Sequence, residues 1–285
     1  MKITQGCRAV VTVHFDDIPT GWEQWVLLRA DAHHDNAHCR QDLERAHLEE
    51  AKRRNALVCD FGDLFCAMQG KWDKRADDTQ LRTELRGNDY LDRLVRYNSD
   101  FYAPYADNLL LIAPGNHETA ILKHHQTNLT ERLAEHLKAK RTVANPLCVG
   151  GFSGWVRFMF KRANQCDSRL LKWHHGYGGD APVTKGTIQT NRMAVYLPDA
   201  DFVVTGHTHN EWIFPIIRER ISQAGVLFKD RQVHIKVPGY KDEYADGFDG
   251  WHIERGGPPK PIGAAWVRFF RKGHDIESEV LAANG

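Results

Sequence analysis

Leu109-Leu110-Leu111-Ile112-Ala113-Pro114-Gly115-Asn116-His117-Glu118 is a short apolar run that stops at a polar cluster. The run reads as a buried strand. Its polar residues then fall at the C-terminal end, where open α/β sheets bind ligands. Asn116 offers a neutral oxygen or an amide donor, and His117 a titratable imidazole. A plain turn before a helix also favours glycine and asparagine, so the stretch alone leaves both readings open.

Four other stretches repeat the pattern. Residues 25–30 end at Asp31-Ala32-His33-His34-Asp35, and residues 56–59 run into Asp60-Phe61-Gly62-Asp63. Residues 170–173 end at His174-His175-Gly176, and residues 201–205 at Gly206-His207-Thr208-His209. A strand carries its last side chain to a fixed place, so neighbouring strand ends can converge on one rim. Residues two apart on an extended chain share a face, which lets Asp31 pair with His33 and His207 with His209. This mixture of carboxylate, imidazole and amide suits manganese, iron, nickel or zinc better than magnesium or calcium, which prefer oxygen cages. The candidate ligands exceed the needs of one ion. Two ions about 3.5–4 Å apart, bridged by a carboxylate and a hydroxide, would use them all. A histidine capping a strand explains any one cluster but not five together.

Between these strand ends the first half alternates with helical patterns over 39–54, 89–105 and 118–140. That order predicts an α/β sheet with parallel pairs. One strand is expected before residue 20, at 9–13. In the second half, strands are expected at 155–160, 212–217, 226–228, 233–237 and 265–270, with a helix near 187–196. The whole of 1–285 reads as a single domain with two packed sheets and helices outside. Surface excursions are expected near 69–88 and 238–261.

Composition narrows the function classes. Lysine plus arginine number 38 and aspartate plus glutamate 37, so net charge gives no sign of nucleic-acid or acidic-lipid binding, although a local basic groove is compatible with it. The six cysteines form no CxxC pair, and no run approaches the roughly 18 apolar residues of a membrane span. The first residues lack the apolar core of a signal peptide. A reduced, cytoplasmic protein with no membrane partner is expected.

The ordered series Asp31-x-His33, Gly62-Asp63, Gly115-Asn116-His117-Glu118, His175 and Gly206-His207-x-His209 resembles the calcineurin-like metallophosphoesterase superfamily. The chain as a whole is also similar to phosphoesterases encoded by bacteriophages. The resemblance implies a four-layer α/β/β/α sandwich of two mixed sheets. It implies that Asp31, His33 and His209 hold one metal, that Asn116, His175 and His207 hold the second, and that Asp63 bridges both. It implies His117 as general acid and two divalent transition-metal ions as cofactors, manganese first, with iron, nickel or zinc also compatible.

The implied activity is hydrolysis of a small-molecule or nucleotide phosphate ester by a hydroxide bridging the metals. A nuclease-type phosphodiesterase acting on DNA or RNA is the alternative within the class. A non-catalytic metal-binding scaffold is the alternative outside it, and would be expected to have lost ligands. Two points depart from the family pattern. Many members carry an aspartate that orients the histidine where this chain has Cys66, leaving Asp60 and Asp73 as substitutes. His174 and His175 also compete for one ligand position, and the residue directly before glycine is the better match. Gly176 to Gly179 with Lys185, and Lys71, Lys74 and Arg75, are further candidates for phosphate or a substrate channel. Tyr240, Tyr244, Phe248 and Trp251 are candidates for a lid. Oligomeric state leaves no mark in the sequence.

Overall fold

The computed structural model describes residues 1–67, 78–162, 165–179, 183–244, 251–254 and 256–284. The chain begins with strands β1 (Lys2–Cys7), β2 (Val10–Phe15) and β3 (Glu23–Arg29), then helix α1 (Gln41–Arg53) and β4 (Leu57–Asp60). Helix α2 (Tyr90–Tyr102), β5 (Leu109–Ile112), helices α3 (Asn116–His125) and α4 (Leu129–Lys138), and the short β6 (Cys148–Val149) follow. Then come β7 (Ser153–Arg162), β8 (Gln165–His174), α5 (Thr187–Tyr196), β9 (Phe202–Thr205), β10 (Trp212–Ile221), β11 (Leu227–Lys236), the single turn α6 (Trp251–Glu254), β12 (Gly263–Lys272) and β13 (Asp275–Asn284).

The strands make two mixed sheets, β1-β2-β7-β8-β9-β11-β10 and β13-β12-β3-β4-β5-β6. Strands β3 to β6 pair in parallel, as do β8 with β9 and β9 with β11. Every residue of β4, β5 and β9 is buried, because each strand is covered on both faces. Val26 and Leu28 join Phe158, Val204 and Phe269 in a core between the sheets. Leu27 and Val58 point the other way, toward Leu48, Leu94 and Leu133 of the helices. On the outside of the larger sheet, Met193 of α5 covers Val203. The result is the four-layer α/β/β/α arrangement. Among the described residues, no helix is long and apolar enough to cross a membrane.

Several expectations change. The helix foreseen over 118–140 is two helices, broken where Gln126 turns left-handed (φ 47°) and Asn128 caps α4 by accepting from the Glu131 amide at 3.1 Å. The separate pieces at 226–228 and 233–237 are one strand, β11. Strands β1, β6 and β13 were not foreseen. Within the described parts of the two foreseen excursions, Leu81, Leu85, Tyr240 and Glu243 are buried, while Thr83, Glu84, Arg86, Gly87 and Asn88 are exposed. Residues 68–77, 245–250 and 255 lie outside the described residues.

Candidate metal centre

Every polar cluster follows the C-terminal end of a strand. Asp31 and His33 come after β3, Asp63 after β4, and Asn116 and His117 after β5. His175 comes after β8, and His207 and His209 after β9. Three adjacent parallel strands of one sheet and two of the other therefore deliver their ends to a single rim.

Three groups of ligand-type atoms form there: Asp31 with His33 and His209, Asp63 with His175 and His207, and His33 with Cys66 and His117. The first two hold ligands expected from the sequence. In the first, Asp31 Oδ1 lies 3.5 Å from His209 Nε2 and 4.0 Å from His33 Nε2, and the two ring nitrogens are 3.2 Å apart. In the second, His175 Nε2 lies 3.1 Å from Asp63 Oδ2 and 3.1 Å from Asn116 Oδ1. The His207 ring stands edge-on to His175, and the ligand atoms of Asp63, His175 and His207 all fall within 4.8 Å of one another. His174 faces elsewhere: its Nδ1 accepts from the Gly176 amide at 2.9 Å, and its ring meets Tyr177.

Extended alternation does not bring these side chains together. The strands stop at Arg29 and Thr205, and Asp31, His33, Asp63, His207 and His209 all have left-handed backbone (φ 54°, 45°, 53°, 72° and 52°). Each such residue costs on the order of 1 kcal/mol or more. The turns are held by hydrogen bonds: Asp31 N donates to Gly62 O (2.8 Å), His33 N to Asp63 O (3.0 Å) and His207 N to Asp31 Oδ2 (2.7 Å). His207 and His209, two residues apart, consequently join different groups. Glycines admit the carboxylates: a Cβ on Gly115 would lie 2.1 Å from Asp63 Oδ1, and one on Gly206 2.4 Å from Asp31 Oδ2.

Glu118, the first residue of the helix expected over 118–140, clamps the site loop. Its Oε2 accepts from Gly115 N (2.7 Å) and Asp63 N (3.1 Å), and its Oε1 from Phe65 N (3.0 Å). It clamps the loop that carries Asp63 to the start of α3. The signal was present in the sequence as a capping-box spacing.

His117 is oriented by main chain. Its Nδ1 donates to the carbonyl oxygen of Cys66, so the side chain at position 66 is not the orienter. Nε2 is left facing Asp63 Oδ2 at 3.7 Å. Asp60 is committed to Arg29 Nε (2.8 Å) and the Gly62 amide (3.1 Å), and Asp73 lies outside the described residues. Arg29 also donates to Glu44 (2.6 Å), forming a buried charge network behind the rim. Tyr240 belongs to it: the ring lies under the Arg29 guanidinium and its hydroxyl meets His47 at 2.9 Å, so it is core and not lid. Lys71, Lys74, Arg75 and Phe248, and the side chain of Trp251, lie outside the description. The Lys185 carbonyl accepts from Trp212 Nε1 (3.0 Å), which anchors that loop.

Electrostatics separate the two carboxylates. Burial, reinforced by Asp63, raises Asp31 to about 7. Burial also opposes the charge of Asp63, but the imidazoles of His175 and His117 hold it well below the usual carboxylate range. The carboxylate beside His175 outweighs burial there and lifts that imidazole to about 10. Burial and the neighbouring imidazoles depress His33. The donor set fits divalent cations. Among the described residues Asp31 Oδ1 is buried without a hydrogen-bond partner, in the position from which two Nε2 atoms are also reached. Buried orphaned acceptors of this kind are costly unless something completes them.

The family model for calcineurin-like phosphoesterases matches residues 25–211. Solved structures that resemble the chain include vacuolar protein sorting 29 from Cryptosporidium parvum, at 14% identity and TM-score 0.40, covering 94% of this chain and 100% of that one. They include a predicted phosphoesterase from Streptococcus pneumoniae, at 10% identity and TM-score 0.32, covering 92% and 98%. A putative 5'-nucleotidase from Staphylococcus aureus has 13% identity and TM-score 0.43, covering 93% of this chain and 55% of that one. No curated protein matches the chain.

Proposed function

Since the chain belongs to the calcineurin-like phosphoesterase family, we propose that it hydrolyses a phosphate ester using two divalent transition-metal ions and His117 as general acid. One observation carries the reading: two groups of ligand-type side chains sit side by side on one rim, with a buried Asp31 Oδ1 that has no hydrogen-bond partner and faces two imidazole nitrogens. Asp31, His33 and His209 would hold one ion and Asn116, His175 and His207 the other, with Asp63 between them. Manganese is our leading choice of metal. When bound, the ions would lower the pKa of the bridging water nucleophile and neutralise the phosphate oxygens.

The remaining work belongs to the chain. The Cys66 carbonyl holds the proton on His117 Nδ1, so the transferable proton of the imidazolium is the one on Nε2, on the Asp63 side. From there it would go to the departing alkoxide or aryloxide, a step typically worth about 10²–10⁴-fold. Glu118 and the backbone bonds of the left-handed turns keep Asp63 and Asp31 in place, so little reorganisation is needed on binding. The six unpaired cysteines support a reducing compartment, the cytoplasm.

The test combines metal content with a substrate panel of aryl monoester, aryl diester, cyclic nucleotide and single- and double-stranded DNA, with Mn²⁺ added. We expect close to two ions per chain and turnover of an aryl ester. Asp63→Asn should reduce both metal content and rate, the rate by about 10²-fold or more. Full activity in that variant would sink the two-metal reading.

A further inference from the structure

His117 leans on the Cys66 carbonyl, so the direction of one peptide bond decides where its ring faces. That C=O and the Ala67 N–H are opposite ends of a single trans peptide plane. On the far side of the plane, Ala67 N donates to Asp35 Oδ2 at 2.9 Å, and Cys66 N donates to Asp35 Oδ1 at 2.5 Å. The Tyr90 hydroxyl adds a third bond, to Oδ2 at 2.7 Å. Asp35 is buried, and its carboxylate meets these three donors. Ala67 is left-handed (φ 48°), a conformation that persists only when the surroundings fix it.

We propose that Asp35 is the positioning residue for His117, acting through the peptide plane between Cys66 and Ala67. The carboxylate grips both amides, and the turn at Ala67 then aims the Cys66 carbonyl at Nδ1. A charged acceptor on the N–H also polarises the peptide and strengthens its carbonyl as an acceptor. No carboxylate is therefore needed in the side chain at position 66. The catalytic consequence rests on His117 being the general acid; the orientation of the ring does not.

The experiment uses the full chain loaded with diamagnetic Zn²⁺. Long-range ¹H–¹⁵N correlation reads the His117 tautomer in the parent protein, in Asp35→Asn and in Tyr90→Phe. Asparagine offers one acceptor oxygen and no charge. At a pH where the ring is neutral, the parent should show only the Nδ1–H tautomer, Asp35→Asn a mixture of tautomers, and Tyr90→Phe a smaller change in the same direction. An unchanged ring in folded Asp35→Asn overturns the proposal; if that variant does not fold, an unchanged ring in Tyr90→Phe overturns it. With Mn²⁺, Asp35→Asn should slow an alkyl phosphate by about 10- to 100-fold, part of the range open to a general acid. An aryl phosphate with a good leaving group should slow by less than about 3-fold, and His117→Ala should abolish the effect of the second substitution. Equal losses on both esters, or a full additional loss in the His117→Ala background, would show general damage and overturn the positioning role. A parent protein that hydrolyses neither ester would overturn the phosphoesterase reading and leave the tautomer measurement to decide Asp35.

Discussion

The rim formed by β3, β4, β5, β8 and β9 and the β10–β11 hairpin are both made of strands rich in apolar residues, yet they behave oppositely. At the rim, β4, β5 and β9 are four residues long and wholly buried, and their ends carry the candidate ligands. The hairpin strands are ten residues each, β10 is a sheet edge, and Ile217, Ile221 and Leu227 are 62%, 71% and 66% exposed. The difference shows that apolar content alone does not fix a backbone. Coverage on both faces does, and the wholly covered β4, β5 and β9 aim their terminal side chains at a charged site.

The largest effect should come from disturbing the rim at its tightest point. Gly206→Ala sets a methyl 2.4 Å from Asp31 Oδ2 and 2.7 Å from the Ala30 Cβ, so the carboxylate must move. Hydrolysis should fall about 10²-fold, as expected for a misplacement near 1 Å. Titration with Mn²⁺ should show weakened binding at the same time. Unaltered binding and rate would mean that the rim is more compliant than its burial implies.

A middle-sized effect concerns the buried charges behind the rim. Burial disfavours the charge on Glu44, but Arg29 at 2.6 Å and His34 at 2.7 Å overcome this and lower it to about 2. The folded value lies below the unfolded value of about 4.3, so this stabilisation is complete above that pH and is lost as the pH falls toward 2. Urea midpoints measured through this window should drop, and Glu44→Gln should show a flatter dependence. The hairpin's Arg218–Asp230 pair is only partly buried, and removing it should cost no more than about 1 kcal/mol.

The smallest effect belongs to the hairpin tip. Ile221→Thr and Val226→Thr, at 71% and 60% exposure, should change stability by no more than about 0.5 kcal/mol. A loss above about 1 kcal/mol would show that the tip is covered in solution and would erase the contrast with the rim.

The same contrast explains what was legible in the sequence. Doubly covered strands leave unbroken apolar runs, so β3, β4, β5 and β9 stood out, and the polar clusters after them marked the rim. Strand β13 reads Asp-Ile-Glu-Ser-Glu-Val, and β1 is largely polar; both are edge strands, whose half-solvated sequences resemble loops. The helix break at Gln126 to Asn128 lacks glycine or proline, the usual signals. Left-handed turns at Asp31, His33, Asp63, His207 and His209 were hidden because nothing in those residue types demands them. The Cys66 contact was hidden more deeply, since a backbone carbonyl has no letter of its own.

The two groups that contain Asp31 and Asp63 each draw on both sheets. Asp31 and His33 leave the smaller sheet and His209 the larger; Asp63 leaves the smaller, and His175 and His207 the larger. An ion seated in either group would therefore be a crosslink between the two halves of the sandwich. Chelation would then register mechanically, as freedom for one sheet to slide on the other, before any secondary structure was lost.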